Sequence, residues 1–211
     1  MNHTYRTLNS GRRRPVKVSA LRTVSVMATL LFLVAPLHGE IVNLRLTGNG
    51  GNGLLESNVT PGTGSAGEGG IGMTGITLNT ETNILHVDVN WGTGNGFGGD
   101  LTGLVTLLHL HGPTPSNSPD SFSETGPLLV VLSNSLSFNE SGINGGVSDD
   151  FFINTSDIQA ILDGRTYINV HTDLFEFGEI RGYLVVAVPE PSGLGLVLVA
   201  SAFVGLRRRR R

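Results

Sequence analysis

Three short stretches carry side chains that could do chemistry together. In His109-Leu110-His111 two imidazoles are separated by one apolar residue. In Tyr167-Ile168-Asn169-Val170-His171-Thr172 a phenol, an amide and a third imidazole alternate with Ile168 and Val170, and in Glu179-Ile180-Arg181 an acid and a base flank Ile180. Such spacing has a meaning on a β-strand, where residues i and i+2 project to one face. On neighbouring strands His109, His111, His171, Glu179 and Arg181 would converge on one face, with Leu110, Ile168 and Val170 on the other. Two imidazoles at i and i+2 plus a third from another strand make a ligand set for copper or zinc, because neutral imidazole suits both. His86 would be a fourth ligand only if its strand face points the same way. The structural alternative is that the histidines and a Glu179–Arg181 pair hold loops at the edge of a sheet by hydrogen bonds.

Other chemistries find less support. The chain has no cysteine, which rules out disulfides, zinc–thiolate sites and thiol catalysis. No Gly-x-Ser-x-Gly nucleophile elbow occurs. Gly94-Asn95-Gly96-Phe97-Gly98-Gly99-Asp100 offers carbonyl and carboxylate oxygens to calcium but lacks the regular acidic spacing of calcium loops, so a plain connection is expected there. Asp149-Asp150 reads as a solvated turn.

The elements that must position these residues read as strands. Leu85-His86-Val87-Asp88-Val89-Asn90-Trp91 alternates with period 2, the signature of a half-buried strand. Further strands are expected at 41–46, 73–78, 104–111, 128–132, 151–153, 166–171 and 179–186, with 79–83 as a hairpin loop. Glycine clusters at 48–53, 62–72 and 92–99 read as loops. One short helix is expected, capped by Thr155 or Ser156, with Ile158, Ile161 and Leu162 at i, i+3, i+4 and Gly164 as its stop. The fold class is therefore all-β, a two-sheet sandwich or barrel with one short helical turn.

Charge position separates the chain into pieces with different fates. The formal charge of the 211 residues is −3. Six basic residues precede the first apolar run and five arginines, Arg207 to Arg211, end the chain, whereas all seventeen acids lie from Glu40 to Glu190. Only Arg45, Arg165 and Arg181 remain between, so residues 40–190 carry −14 with histidine neutral. A segment so acidic excludes nucleic-acid binding, which needs clustered Lys and Arg against phosphates.

The two ends read as addresses. Residues 1–39 form a signal peptide: a basic region, the apolar run Val24 to Leu37, then small residues near Gly39. The apolar pair that follows the arginines of a twin-arginine signal is replaced by Pro15-Val16, which favours the general secretory route. At the other end, residues 188–191 (Val188-Pro189-Glu190-Pro191), an apolar helix at 193–206 and the arginine tail 207–211 resemble the PEP-CTERM sorting signal of Gram-negative bacteria. The positive-inside rule keeps the five arginines cytoplasmic and the acidic body outside. The resemblance implies transient inner-membrane anchoring through a transmembrane helix, processing by signal peptidase and an exosortase near Pro189, Glu190 and Pro191, and delivery to the cell surface or exopolysaccharide matrix. A permanent C-terminal anchor is the alternative.

The body between them, residues 40–187, resembles the CHRD domain, a module named from chordin and found in many bacterial exported proteins. The resemblance is carried by His109-Leu110-His111-Gly112-Pro113, by 157–164, by Tyr167, Asn169, His171 and Thr172, and by Gly178-Glu179-Ile180-Arg181-Gly182. Thr114 stands where the family usually has a small residue. The family implies a Greek-key-like β-sandwich, immunoglobulin-like or Cu,Zn superoxide dismutase-like, without a general biochemical activity. This chain lacks the dismutase's disulfide cysteines, its dense zinc loop and a clear fourth copper histidine, so redox catalysis is not expected. Chordin's growth-factor binding does not transfer, because fold does not fix function. The expectation is a non-enzymatic exported module that binds surface proteins or exopolysaccharide. Its rival is a copper- or zinc-binding surface protein using His109, His111 and His171, and a calcium-stabilised matrix module comes third.

Overall fold

The computed structural model describes residues 41–139 and 142–188. The expected signal peptide at 1–39, the motif Pro189-Glu190-Pro191, the apolar run and the arginine tail lie outside the described residues. Among the described residues no helix is long and apolar enough to cross a membrane.

Among the described residues nine strands form in chain order: β1 (Ile41–Thr47), β2 (Leu54–Leu55), β3 (Glu68–Asn79), β4 (Ile84–Trp91), β5 (Val105–His111), β6 (Leu128–Val131), β7 (Gly145–Phe152), β8 (Thr166–Thr172) and β9 (Ile180–Val186). The α-helix α1 (Thr155–Leu162) joins β7 to β8. All pairings are antiparallel, in the order β6-β5-β8-β9-β1-β3-β4-β7. The all-β class with one short helix is as expected from the sequence.

The path divides at β1. Its first half, Ile41 to Leu44, pairs with β3, and its second half, Leu44 to Thr47, pairs with β9. One strand thus serves two half-sheets, β3-β4-β7 and β9-β8-β5-β6. The short β2 makes the same bridge, Leu54 opposite Gly69 and Leu55 opposite Arg181. Leu78, Leu85, Val87, Val89 and Trp91 from one half share a single apolar core with Leu108, Leu110, Ile168, Val170, Ile180 and Leu184 from the other. That shared core makes the molecule a sandwich, and each such side chain contributes about 1.5–3 kcal/mol by leaving water.

Helix α1 covers the core with Ile158, Ile161 and Leu162, as their spacing predicts. Its N-cap falls on Asn154, one residue before the expected Thr155. Gly164 ends it at φ +71°, a left-handed conformation open to glycine.

Two loop expectations are corrected. Asp149-Asp150 is not a turn: both lie in β7, opposite Val87 and His86. The glycine cluster at 62–72 is a loop only to 67, since β3 begins at Glu68. Its glycines are required by the neighbouring strand. A Cβ on Gly69 would lie 2.9 Å from Trp91 Cβ, and one on Gly72 would lie 2.0 Å from the Asp88 carboxylate.

The half-sheet β9-β8-β5 positions the candidate site. Every residue of β8 is buried, so both of its faces are covered. The inner face rests on the core. The outer face is covered by the β5–β6 connection, whose helical turn Asp120–Ser123 brings Phe122 against Tyr183, with Tyr167 and Val185 completing a second apolar cluster. Tyr183 Oη donates to the Glu124 carbonyl at 2.9 Å, and Tyr167 Oη accepts from the Gly126 amide at 3.3 Å. The two phenols hold the connection down.

Candidate functional site

Strand register builds the site directly. His109 lies opposite Asn169, and Asn169 opposite Arg181; His111 lies opposite Tyr167, and Tyr167 opposite Tyr183. These rows share the outer face, because β5, β8 and β9 put Leu108, Leu110, Ile168, Val170, Ile180 and Leu184 into the core. The alternation of apolar and polar residues is thus the cause of the convergence.

The three histidines meet. Ring centroids are 5.4 Å apart for His109 and His111, 4.7 Å for His109 and His171, and 5.8 Å for His111 and His171. One ring nitrogen from each lies within 4.8 Å of the others. His111 stacks on Tyr167 with centroids 5.2 Å apart and planes at 7°.

Main-chain carbonyls fix the tautomers. His111 Nδ1 lies 3.2 Å from the Gly126 carbonyl and His171 Nδ1 lies 2.6 Å from that of Glu176. A carbonyl only accepts, so in each ring Nδ1 carries the hydrogen and Nε2 keeps its lone pair. The amide of Asn169 agrees: its Nδ2 donates to the Phe177 carbonyl at 2.9 Å and to His171 Nε2 at 3.2 Å, while its Oδ1 accepts from Arg181 Nε at 3.4 Å. His111 Nε2 is buried and has no hydrogen-bond partner among the described residues. A lone pair in that position is costly to leave bare.

All three imidazoles resist protonation. Burial pushes His109 down to about 4, helped by the neighbouring His171 and His111. Burial likewise lowers His111 and His171 against the carbonyls that raise them, with Arg181 adding to the lowering of both. Three close, neutral imidazoles, two of them oriented by carbonyls through the far nitrogen, are what a late first-row metal requires of its protein ligands.

The donor set fits copper or zinc with one condition. His111 offers a bare Nε2, and among the described residues no hydrogen bond occupies His109. His171 Nε2 accepts from Asn169, whose Nδ2 keeps the Phe177 carbonyl as an alternative acceptor. A metal would displace that one hydrogen bond.

Glu179 does not join the cluster, contrary to expectation. It is fully buried, and its carboxylate accepts from Ser65 Oγ, from the amides of Thr102 at 2.5 Å and Gly103 at 3.1 Å, and from Thr172 Oγ1 at 2.9 Å. It ties the 60s and 100s loops to β8. No Glu179–Arg181 ion pair forms among the described residues, and His86 Nδ1 is hydrogen-bonded to Asp150 Oδ1 at 2.8 Å. That also removes His86 as a fourth ligand. It sits on β4 in the other half-sheet, with Nε2 on Thr74 Oγ1 at 2.9 Å.

The remaining motif residues serve the frame. Gly178 has φ +111°, and a Cβ there would lie 2.1 Å from Asn169 Oδ1, so only glycine lets the loop close on that amide. The 112–113 pair turns the chain after β5, where Gly112 N donates to the Pro127 carbonyl at 2.8 Å. Thr114 is buried and donates its amide hydrogen to the Arg165 carbonyl at 2.9 Å. Gly182 lies on β9 beneath the Gly53 carbonyl, 2.5 Å from where its Cβ would be. The candidate calcium loop is closed by its own acid: Asp100 Oδ1 accepts from the Thr93 amide at 2.6 Å and from Thr93 Oγ1 at 2.8 Å. The Thr93 bonds hold the Asp100 carboxyl below its usual range.

Sequence reasoning did not find the carbonyls of Gly126 and Glu176, which orient two histidines. A main-chain carbonyl belongs to every residue type and leaves no compositional signal. It also missed a cavity of about 880 Å3 beside the histidines, walled by the 59–63 and 174–178 loops and floored by Tyr167, Asn169, His171 and Arg181.

No curated protein and no solved structure matches the chain. The CHRD domain model matches residues 52–184, a span that holds the three histidines, the cavity and most of the core. The chain is a member of the CHRD domain family.

Proposed function

We propose that this chain is a non-enzymatic binding module of the cell exterior whose binding centre is the outer face of β5-β8-β9, and that His109, His111 and His171 hold one copper or zinc ion there. The observation that carries the metal reading is the buried, unpartnered Nε2 of His111, set among two further neutral imidazoles. Such an ion would supply a Lewis-acidic anchor for an oxygen or nitrogen donor of a bound partner. The chain's own residues supply orientation: Gly126 and Glu176 lock the ring tautomers, and Tyr167 supports the plane of His111. The reading of a binding rather than a catalytic role is supported by the spent state of the nearest buried acid, since four donors already hold Glu179.

Export is part of the same proposal. A signal peptide at 1–39 and exosortase sorting through 188–211 would place the acidic body outside the inner membrane of a Gram-negative bacterium, then at the surface or in the exopolysaccharide matrix. The support is the basic residues gathered at the two ends and the order of motif, apolar run and arginines. Replacing Pro189-Glu190-Pro191 and following surface release tests the sorting; unchanged processing would refute it. For the metal, the purified chain is dialysed against trace copper and zinc. One ion per chain, lost in both His109→Ala and His171→Ala, supports the centre; metal at background sinks it.

A further inference from the structure

The cavity beside the histidines contains a charge that the fold does not neutralise. Arg181 is 3% exposed, yet its Nη1 has no hydrogen-bond partner and its guanidinium no ion pair among the described residues. What it has is one amide oxygen on Nε, the Tyr183 phenol, and the ring of Tyr167, 4.2 Å from its central carbon. A buried guanidinium so served lacks the bidentate acceptor that such a group normally finds. The histidines beside it are neutral and supply no counter-charge.

The rest of the cavity joins an apolar wall to the hydroxyls of Thr60, Thr63 and Thr125 and the amide of Asn169. Val59, Pro61, Leu174, Phe175 and Phe177 line it, and Leu174 and Phe177 are exposed at 61% and 85% on the 174–177 loop. Glu176, the acid among its lining residues, is exposed to solvent. The volume lies within the range of small-molecule sites. One buried cation beside the Val59, Pro61, Leu174, Phe175 and Phe177 wall favours a ligand of one negative charge and an apolar body.

We infer that this cavity is a binding site for a small carboxylate with an apolar body, its carboxylate received by Arg181 and its body by the Val59, Leu174 and Phe177 walls. The cavity shares His111 and His171 with the proposal for the three histidines, but carboxylate binding needs no metal, so the metal-free chain tests it separately. A guanidinium fork prefers a planar carboxylate to a neutral isostere, and an ammonium does not reproduce that geometry. A sugar acid carries the charge but not the apolar body.

The test is calorimetric titration of the full chain, treated with EDTA and held in one non-ionic detergent, with benzoate, benzamide and glucuronate. Benzoate is expected to bind at least about tenfold more tightly than either of the others. In Arg181→Lys the preference for benzoate over benzamide should fall below about threefold, with the β-sheet circular dichroism unchanged. Equal binding of benzoate and benzamide by the unaltered chain overturns the proposal, whether or not the variant folds. So does glucuronate binding as tightly as benzoate, or a preference that survives in folded Arg181→Lys. Repeating the titration with copper present separates the two sites: loss of metal binding leaves the EDTA result standing.

Discussion

The Nδ1–H of His171 donates to the carbonyl of Glu176 at 2.6 Å, across the loop that joins β8 to β9. The bond decides which nitrogen of His171 faces His109 and His111, and it depends on a loop that closes only because residue 178 is glycine. Gly178→Ala would drive a methyl into the Asn169 amide and force φ +111° on a residue that resists it. Metal affinity should fall about 10–100-fold, as for the loss of an orienting partner, while the strands still form. Titration calorimetry with zinc and far-ultraviolet circular dichroism measure the two halves of that expectation.

Glu179 is the latch of the same end of the sandwich. In Glu179→Gln one acceptor oxygen becomes an NH2 group facing two donors, either Ser65 Oγ with the Thr102 amide or the Gly103 amide with Thr172 Oγ1. Buried hydrogen bonds to a charged group contribute about 1.5–3 kcal/mol, so a loss of about 2–3 kcal/mol is expected in urea unfolding. A change within error would show that the loops hold without the latch.

Stability should fall on mild acidification. His109 titrates at about 4 in the fold, and His111 and His171 are also lowered, whereas an unfolded histidine titrates near 6.5. Between these values the unfolded chain binds more protons than the native one, so the slope of stability against pH is positive. The histidine contribution is complete above about pH 6.5 and is lost as pH falls toward about 4. Melting temperatures at pH 7.5, 6, 5 and 4 should decline across that window, and less in His109→Asn/His111→Asn than in the unaltered chain. Asp100 and Asp149, whose carboxyls are lowered by hydrogen bonds from Thr93 and Ser135, add their losses only below their ordinary range.

Calcium should do little at the 94–100 loop. Asp100 Oδ1 is already engaged by both the amide and the hydroxyl of Thr93, so the loop is closed without an ion. Millimolar calcium is expected to leave the melting temperature where EDTA leaves it. A rise of several degrees would restore the calcium-stabilised reading.

Much of the site was legible because strand periodicity is local. His109 and His111, and Tyr167, Asn169 and His171, needed only alternation with Leu110, Ile168 and Val170 to be assigned to one face. What brings β5 against β8 and β8 against β9 is long-range register, and the sequence offered that only through resemblance. Glu179 misled because alternation with Ile180 and Arg181 was extended one residue beyond the start of β9. The glycines of β3 misled for the opposite reason: Gly69 and Gly72 look like loop residues but make room for Trp91 and Asp88 on β4. Asp149-Asp150 looked like a turn, although pairing with Val87 and His86 makes it strand. Side-chain identity reports the face of a strand well and its neighbours poorly.

The central claim is that three imidazoles act as one ligand set, and copper(II) reports its own nitrogen ligands. Electron paramagnetic resonance of the chain loaded with one equivalent of copper(II) should show nitrogen superhyperfine structure from the bound imidazoles. That structure should be reduced by one nitrogen in His111→Ala and unchanged in His86→Ala, whose imidazole belongs to the opposite half-sheet. A spectrum identical in the unaltered chain and His111→Ala, or no protein-bound copper at all, would contradict the account.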